Sequence, residues 1–251
     1  MNNLALSTLS TLLLAPLAVM AQAAQAGGSC RAVSGAVPPT VVELYTSEGC
    51  SSCPPADRWL STLKGKPDVL AMSFHVTYWD NLGWPDRFAS PDYTARQYAI
   101  AQHAGSAQVY TPQVVVNGQD WRGWPRLPAA AAKAAPQVTL VREGDIVTAT
   151  VAGAAAGAVA SGRPAGKWQA YWAVLEDAHQ SQVRAGENSG ETLKHDHVVR
   201  LLKPVPAWAA ADGAKVQLTV SPGAPAFPRR VVLVVTDAQT QQPLQAVSLG
   251  C

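Results

Sequence analysis

The stretch Val41-Val42-Glu43-Leu44-Tyr45-Thr46-Ser47-Glu48-Gly49-Cys50-Ser51-Ser52-Cys53-Pro54-Pro55 passes from a strand-like run into a helix start, with two cysteines three positions apart at the change. Val41 to Thr46 is apolar enough for a buried strand. Pro54 and Pro55 suit the first turn of a helix from Cys53 to Leu63, where their missing N–H groups do no harm. Trp59, Leu60 and Leu63 then share one helical face. Lys64-Gly65-Lys66-Pro67 ends that helix, and Val69 to Val76 supplies a second apolar strand. Two apolar strands joined by a helix predict a βαβ unit with parallel pairing and a right-handed crossover.

Further along, Ser90-Pro91 offers an N-cap serine followed by proline at N1, opening a second helix to about Ala104. Val114 to Val116 is a short strand, Asn117-Gly118 a hairpin turn, and Ala129 to Ala135 a closing helix stopped by Pro136. From Gln137 onward alternation dominates. Ile146–Val151, Trp168–Val174, Lys215–Val220, Val231–Thr236 and Leu244–Leu249 read as strands, with a Gly/Ala-rich loop over Ala152–Gly166. These patterns predict an α/β domain over 38–135 and an all-β, sandwich-like domain over 137–251.

Leu12 to Met20 is an apolar run followed by the small-x-small site Ala24-Gln25-Ala26, so residues 1–26 read as a cleaved export signal, although no Lys or Arg precedes the run. Export places the chain in a periplasmic or extracellular compartment where disulfides persist. The near balance of 19 basic and 17 acidic residues, without a basic run or cationic helix, argues against nucleic acid and a membrane surface as partners. The apolar Leu12–Met20 run is too short to span a bilayer comfortably, and no second run of spanning length appears later. Cys30 and Cys251 lie near the two ends of the mature chain; because domain termini are often close together, the two are expected to form a disulfide.

Cys50 and Cys53 admit three readings: a redox couple, an inert structural staple, or half of a metal site. A helix start favours the thiolate through unpaired N–H groups and the positive dipole end. In the redox reading Cys50 is the exposed nucleophile, Cys53 one turn on resolves the mixed disulfide, and Ser51 and Ser52 donate hydrogen bonds to sulfur. Thr111-Pro112 precedes a strand, and such a loop opposite the cysteines can pair its backbone with an extended substrate. A metal site needs more ligands; His75 and the His195-Asp196-His197 run are the nearest candidates. A zinc site of known spacing lacks its second CxxC, which leaves copper(I), content with two thiolates, as the metal alternative. Asp80 and Asp86 read as loop or capping residues, and His103 and His179 as surface or hydrogen-bonded histidines. The indoles Trp79, Trp84, Trp121 and Trp124 either line a groove at the thiols or cap the core.

The order of strand, CxxC at a helix start, strand, helix, Thr-Pro before a strand and Asn-Gly hairpin resembles the thioredoxin fold. More narrowly, Tyr45 to Asp57, His75-Val76-Thr77-Tyr78-Trp79-Asp80, Tyr110-Thr111-Pro112-Gln113 and Gly186-Glu187-Asn188-Ser189-Gly190 resemble the exported bacterial family called domain of unknown function 1223. The chain departs from thioredoxin in having Ser51-Ser52 in place of Gly-Pro and in a longer Tyr78–Ala104 segment, read as a helical insertion. Glu43, one residue further from Cys50 than thioredoxin's buried acid, reads either as a proton relay or as a strand-edge or ion-paired carboxylate. The resemblance implies thiol–disulfide exchange, without metal or other cofactor, on exported protein thiols or disulfides or on a small thiol, with an unspecified recycling partner. Two alternatives remain: a non-catalytic partner-binding module with a structural disulfide, and a copper(I) carrier.

Overall fold

The computed structural model describes residues 30–129, 135–154 and 166–251. The export signal, most of the Gly/Ala-rich loop and the core of the closing helix expected at Ala129–Ala135 lie outside those residues. In chain order the elements are β1 (Cys30–Val33), β2 (Thr40–Thr46), α1 (Pro54–Ser61), β3 (Val69–His75), α2 (Pro91–His103), β4 (Gln113–Val116), β5 (Gln119–Asp120), β6 (Val138–Glu143), β7 (Ile146–Val151), β8 (Lys167–Glu176), β9 (His179–Gln182), β10 (Thr192–His195), β11 (Val198–Ala209), β12 (Ala214–Thr219), β13 (Arg229–Asp237) and β14 (Pro243–Leu249).

Local chemistry accounts for the first half. β2 and β3 pair in parallel from Thr40–Val69 to Thr46–His75, with α1 as the crossover. Pro54 and Pro55 occupy the first turn of α1. Ser90 caps α2, its hydroxyl accepting from Asp92 N at 3.3 Å. Asn117 and Gly118, both at positive φ, turn β4 into β5, as a two-residue hairpin requires.

The expected pairing of an α/β thioredoxin-like domain with a separate all-β sandwich-like domain is overturned. Among the described residues strand far outweighs helix, and one eight-stranded sheet runs β14-β13-β8-β11-β3-β2-β4-β5, joining strands from both halves. The junction is β3 against β11, where Val198 pairs in parallel with Ser73 and Ser73 N donates to His197 O at 2.8 Å. An apolar β3 edge left open would expose unpaired backbone groups; β11 pairs with that edge at Ser73. A four-stranded sheet, β1-β6-β7-β12, and the β9–β10 hairpin complete the strands.

Period-two alternation sorts the core by face. On one face of the large sheet, Val41, Tyr45, Met72 and Phe74 join Tyr171, Ala173, Val232 and Val234 in a continuous layer, with Tyr93 and Ile100 of α2 packed on it. On the opposite face, Val42, Leu44, Ala71, Val114 and Val116 pack against Ala56, Trp59, Leu60 and Leu63. Further along that face, Trp172, Val174, Leu233 and Val235 meet Leu140, Val147 and Ala149 of the small sheet. The α1 region and the four-stranded sheet thus cover adjoining parts of one face, and α2 covers the other.

One ion pair is buried within the α2 layer. Glu43 accepts from Arg96 at 2.6 and 2.9 Å, from Tyr45 Oη at 2.7 Å and from Tyr171 Oη at 3.0 Å. Burial alone would push the Glu43 carboxyl up, but Arg96 and the two phenols hold it below its ordinary value.

Candidate functional site

Cys50 and Cys53 are joined in a disulfide, as are Cys30 and Cys251. Cys53 is the N-cap of α1, and its carbonyl accepts from Ala56 N and Asp57 N at 2.9 and 3.2 Å. The site therefore lies past the carboxyl ends of the parallel strands β2 and β3, where loops converge. The Thr111–Pro112 peptide is cis. Thr111 Oγ1 donates to Cys50 Sγ at 3.3 Å and accepts from Trp79 Nε1 at 2.8 Å. Ser52 Oγ lies 3.4 Å from the same sulfur. The Thr-Pro loop thus meets the CxxC turn through a side-chain hydroxyl. Of the indoles, Trp79 and Trp84 border this site, whereas Trp121 and Trp124 pack onto the α1 core.

Two expectations need correction. Cys50 is not an exposed nucleophile: its relative exposure is 0%, although Ser51 and Ser52 beside it are exposed. Its cover is built from distant segments. Gly49 packs against Trp79, where an added Cβ would come within 3.1 Å of the Trp79 Cβ. The Gly186–Gly190 loop clamps the turn from above: Asn188 Nδ2 donates to Glu48 O and to Cys50 O, both at 2.9 Å, and Glu187 Oε2 accepts from Ser51 N at 3.0 Å. Glu43, the candidate proton relay, points away from the cysteines. It shares the α2 face with Tyr45, while α1 covers the alternate residues Val42 and Leu44.

Removing the Asn188 carboxamide tests the clamp. Each hydrogen bond contributes roughly 0.5–1.5 kcal/mol, so opening of the turn in Asn188→Ala becomes easier by roughly 1–3 kcal/mol. Reduction of Cys50–Cys53 by dithiothreitol should therefore be faster by roughly 5- to 150-fold. Equal rates in wild type and variant would show that the loop does not control access.

Below the turn lies a buried polar cluster whose members the sequence does not bring together. Asp57 follows Cys53 by four positions and so projects from the same side of α1. Its Oδ2 accepts from Thr46 Oγ1 at 2.8 Å. His75, at the end of β3, turns Nδ1 to Asp86 Oδ2 at 2.6 Å. The same oxygen accepts from Glu48 N at 2.8 Å, and Asp86 Oδ1 accepts from Phe88 N at 2.9 Å. Asp86, expected as a loop or capping residue, is thus a buried anchor. His195 reaches the cluster from β10, its Nε2 3.2 Å from Glu48 Oε1, and Trp84 Nε1 donates to Glu48 Oε2 at 2.7 Å. His103 and Asp196 stay outside; His179 is hydrogen-bonded to Glu176.

The electrostatics follow from burial against pairing. Desolvation would raise Asp86, but the His75 imidazole and two backbone N–H groups bring it down to about 2. Burial alone would lower His75, yet Asp86 beside it raises the ring above its usual value. Asp57 is raised, chiefly by burial. For Glu48 the balance tips the other way: burial raises it, and the adjacent His195 ring and the Trp84 N–H help bring it below the ordinary range. One local signal for Asp57 exists, an acid that shares the buried side of an eight-residue helix with Ala56 and Leu60. The roles of Glu48 and Asn188 depend on contacts across the fold.

The family model for a protein of unknown function, DUF1223, matches residues 41–236. The chain belongs to that family. The matched span of DUF1223 contains both cysteines, the buried cluster and the clamping loop. No curated protein sequence matches the chain. Among solved structures, it is similar to the crystal structure of an Agrobacterium tumefaciens protein, with 27% identity and a TM-score of 0.62, covering 85% of this chain and 94% of that one. It is also similar in fold to HBP35 of Porphyromonas gingivalis, with 16% identity and a TM-score of 0.55, covering 86% of this chain and 76% of that one.

Proposed function

We propose that this member of the DUF1223 family exchanges disulfides through Cys50 and Cys53 in an exported, oxidising compartment. The observation that carries the reading is the bonded cysteine pair at the start of α1 with the Thr111 hydroxyl aimed at the Cys50 sulfur. In the reduced protein, a Cys50 thiolate attacks one sulfur of a substrate disulfide and releases the other as a thiolate. Cys53 then attacks Cys50, restores the intramolecular bond and frees the second substrate thiolate. The substrate gains two electrons and the protein loses two; the reverse sequence oxidises a dithiol. A dithiol or disulfide partner must reset the pair. Thr111 donates to the sulfur that changes charge and can steady it, since hydrogen bonding to the charged form favours that form.

Support for the compartment comes from the two disulfides, which persist where glutathione and thioredoxin do not reduce them. No helix of the described residues is long and apolar enough to cross a membrane. The test is catalysed reduction of a protein disulfide substrate by dithiothreitol. Wild type should accelerate it at least about tenfold over a Cys50→Ser/Cys53→Ser double variant; equal rates would refute the proposal.

The complete burial of Cys50 favours a second reading, in which the bond is structural and the fold serves as a partner-binding module. In that case the double variant loses stability while no exchange activity is lost. The copper(I) alternative requires the thiols reduced, and is distinguished by copper uptake that disappears on oxidation.

A further inference from the structure

We propose that Asp57, His75 and His195 bind a divalent transition-metal ion of the zinc class, at a site separate from the disulfide. One ligand atom from each of the three residues lies within 4.8 Å of the others, and all three side chains are buried. They come from three different elements, α1, β3 and β10, so the site exists only in the folded chain.

Each imidazole keeps a buried ring nitrogen without a hydrogen-bond partner. His75 Nδ1 faces Asp86 Oδ2 at 2.6 Å, so with Nδ1 protonated the Nε2 lone pair is free. Nε2 is buried and has no hydrogen-bond partner among the described residues. His195 is held less tightly: its Nε2 is 3.2 Å from Glu48 Oε1 and its Nδ1 4.0 Å from Asp57 Oδ1, and neither ring nitrogen has a hydrogen-bond partner among the described residues, so a ring nitrogen is free to coordinate. A carboxylate behind one ring nitrogen fixes the tautomer and raises the basicity of the other, the usual support of a metal-bound histidine. Asp57 is held through Oδ2 by Thr46, which leaves Oδ1 toward His195.

Charge points the same way. Glu48, Asp57 and Asp86 bring three buried carboxylates together. Among the described residues, none of them hydrogen-bonds or pairs with a lysine or arginine; their basic neighbours are the two imidazoles. Burying more negative than positive charge is costly, and a dication offsets the excess. Two imidazoles and one carboxylate suit zinc or a similar first-row ion, whereas magnesium and calcium prefer all-oxygen sets and copper(I) prefers thiolates. At zinc–ligand distances of about 2 Å, tetrahedral ligand atoms lie roughly 3.3 Å apart, so loading draws the three side chains together by roughly an ångström. A fourth position remains for water or a substrate atom.

The experiment uses the full folded chain with both disulfides intact, verified by the absence of alkylatable thiols, so that thiolate binding plays no part. Protein incubated with zinc chloride and freed of excess ion by gel filtration should retain one equivalent of zinc by elemental analysis. Loading with cobalt(II) should give the visible bands of a four-coordinate nitrogen–oxygen site. His195→Gln and Asp57→Asn, checked for native circular dichroism, should each weaken zinc affinity at least tenfold. Should a variant fail to fold, the cobalt spectrum of the wild type decides. Substoichiometric zinc with an octahedral, aquo-like cobalt spectrum overturns the proposal, as does undiminished zinc affinity in a folded His195→Gln protein.

Discussion

Replacing both Cys30 and Cys251 with serine should lower stability by up to about 5 kcal/mol, without changing the order of strands. The bond joins positions separated by 221 residues. Closing so long a loop removes much of the freedom of the unfolded chain, and the chain-entropy relation puts the effect near the top of the usual disulfide range. Locally, the bond ties β1, the edge strand paired with β6, to the chain end just after β14. The native contacts on each side survive reduction, so the loss should fall on the unfolded state. The check is urea denaturation of wild type and double variant: the midpoint should drop, while the slope steepens because the unlinked unfolded chain exposes more surface. An unchanged midpoint would mean that the unfolded chain is held together in some other way.

The second large effect concerns Arg96. Arg96→Ala leaves Glu43, 2% exposed, without its cation, and breaking a buried ion pair by removing one partner typically costs about 3–5 kcal/mol. The pH dependence should also change sign. In wild type the folded carboxyl lies below its ordinary value, so the unfolded chain binds more protons in the acid range. Its contribution is fully present above the unfolded pKa and is lost as pH falls through the folded one. Without Arg96, burial dominates and pushes Glu43 upward. The folded state then holds the proton more tightly, and this group's contribution falls as pH rises above roughly 4.5. Denaturation midpoints of both proteins from pH 4 to 7 test this. Parallel profiles would mean that Arg96 does not set the protonation of Glu43.

Local signals in the sequence were strong where neighbours in sequence are also neighbours in space. The β2–α1–β3 unit follows from two apolar runs, a proline-led helix and the Lys64-Gly65-Lys66-Pro67 stop. The Ser90-Pro91 helix start and the Asn117-Gly118 turn are of the same kind. The sheet topology is not local. β11 carries Pro204 and Pro206, which read against a central strand because proline cannot donate to the ladder. The strand tolerates them because β11 pairs with β8 along its length but with β3 only at Val198. That single parallel contact merges what the alternation pattern presents as two domains.

The site divides in the same way. The CxxC turn and the Thr111-Pro112 loop are legible as motifs, but the burial of Cys50 is not. Its cover comes from Trp79 and from Asn188, the latter 138 positions away in sequence. His75 and His195 could be noted as imidazoles but not as neighbours, because the hairpin that carries His195 meets α1 only in the folded chain. Distance along the chain from Cys50 leaves Glu43 readable as a relay or as an ion-paired carboxylate. Strand alternation sends it to the opposite face, where Arg96 and two tyrosines engage it.

The most direct measurement of the central claim is mass spectrometry of Cys53→Ser protein after incubation with oxidised glutathione. The account expects one glutathione on Cys50, released by a dithiol, because the resolving sulfur is gone, and a slower reaction in a Cys53→Ser protein that also carries Thr111→Val. A folded Cys53→Ser protein whose Cys50 stays unmodified under these conditions would contradict it.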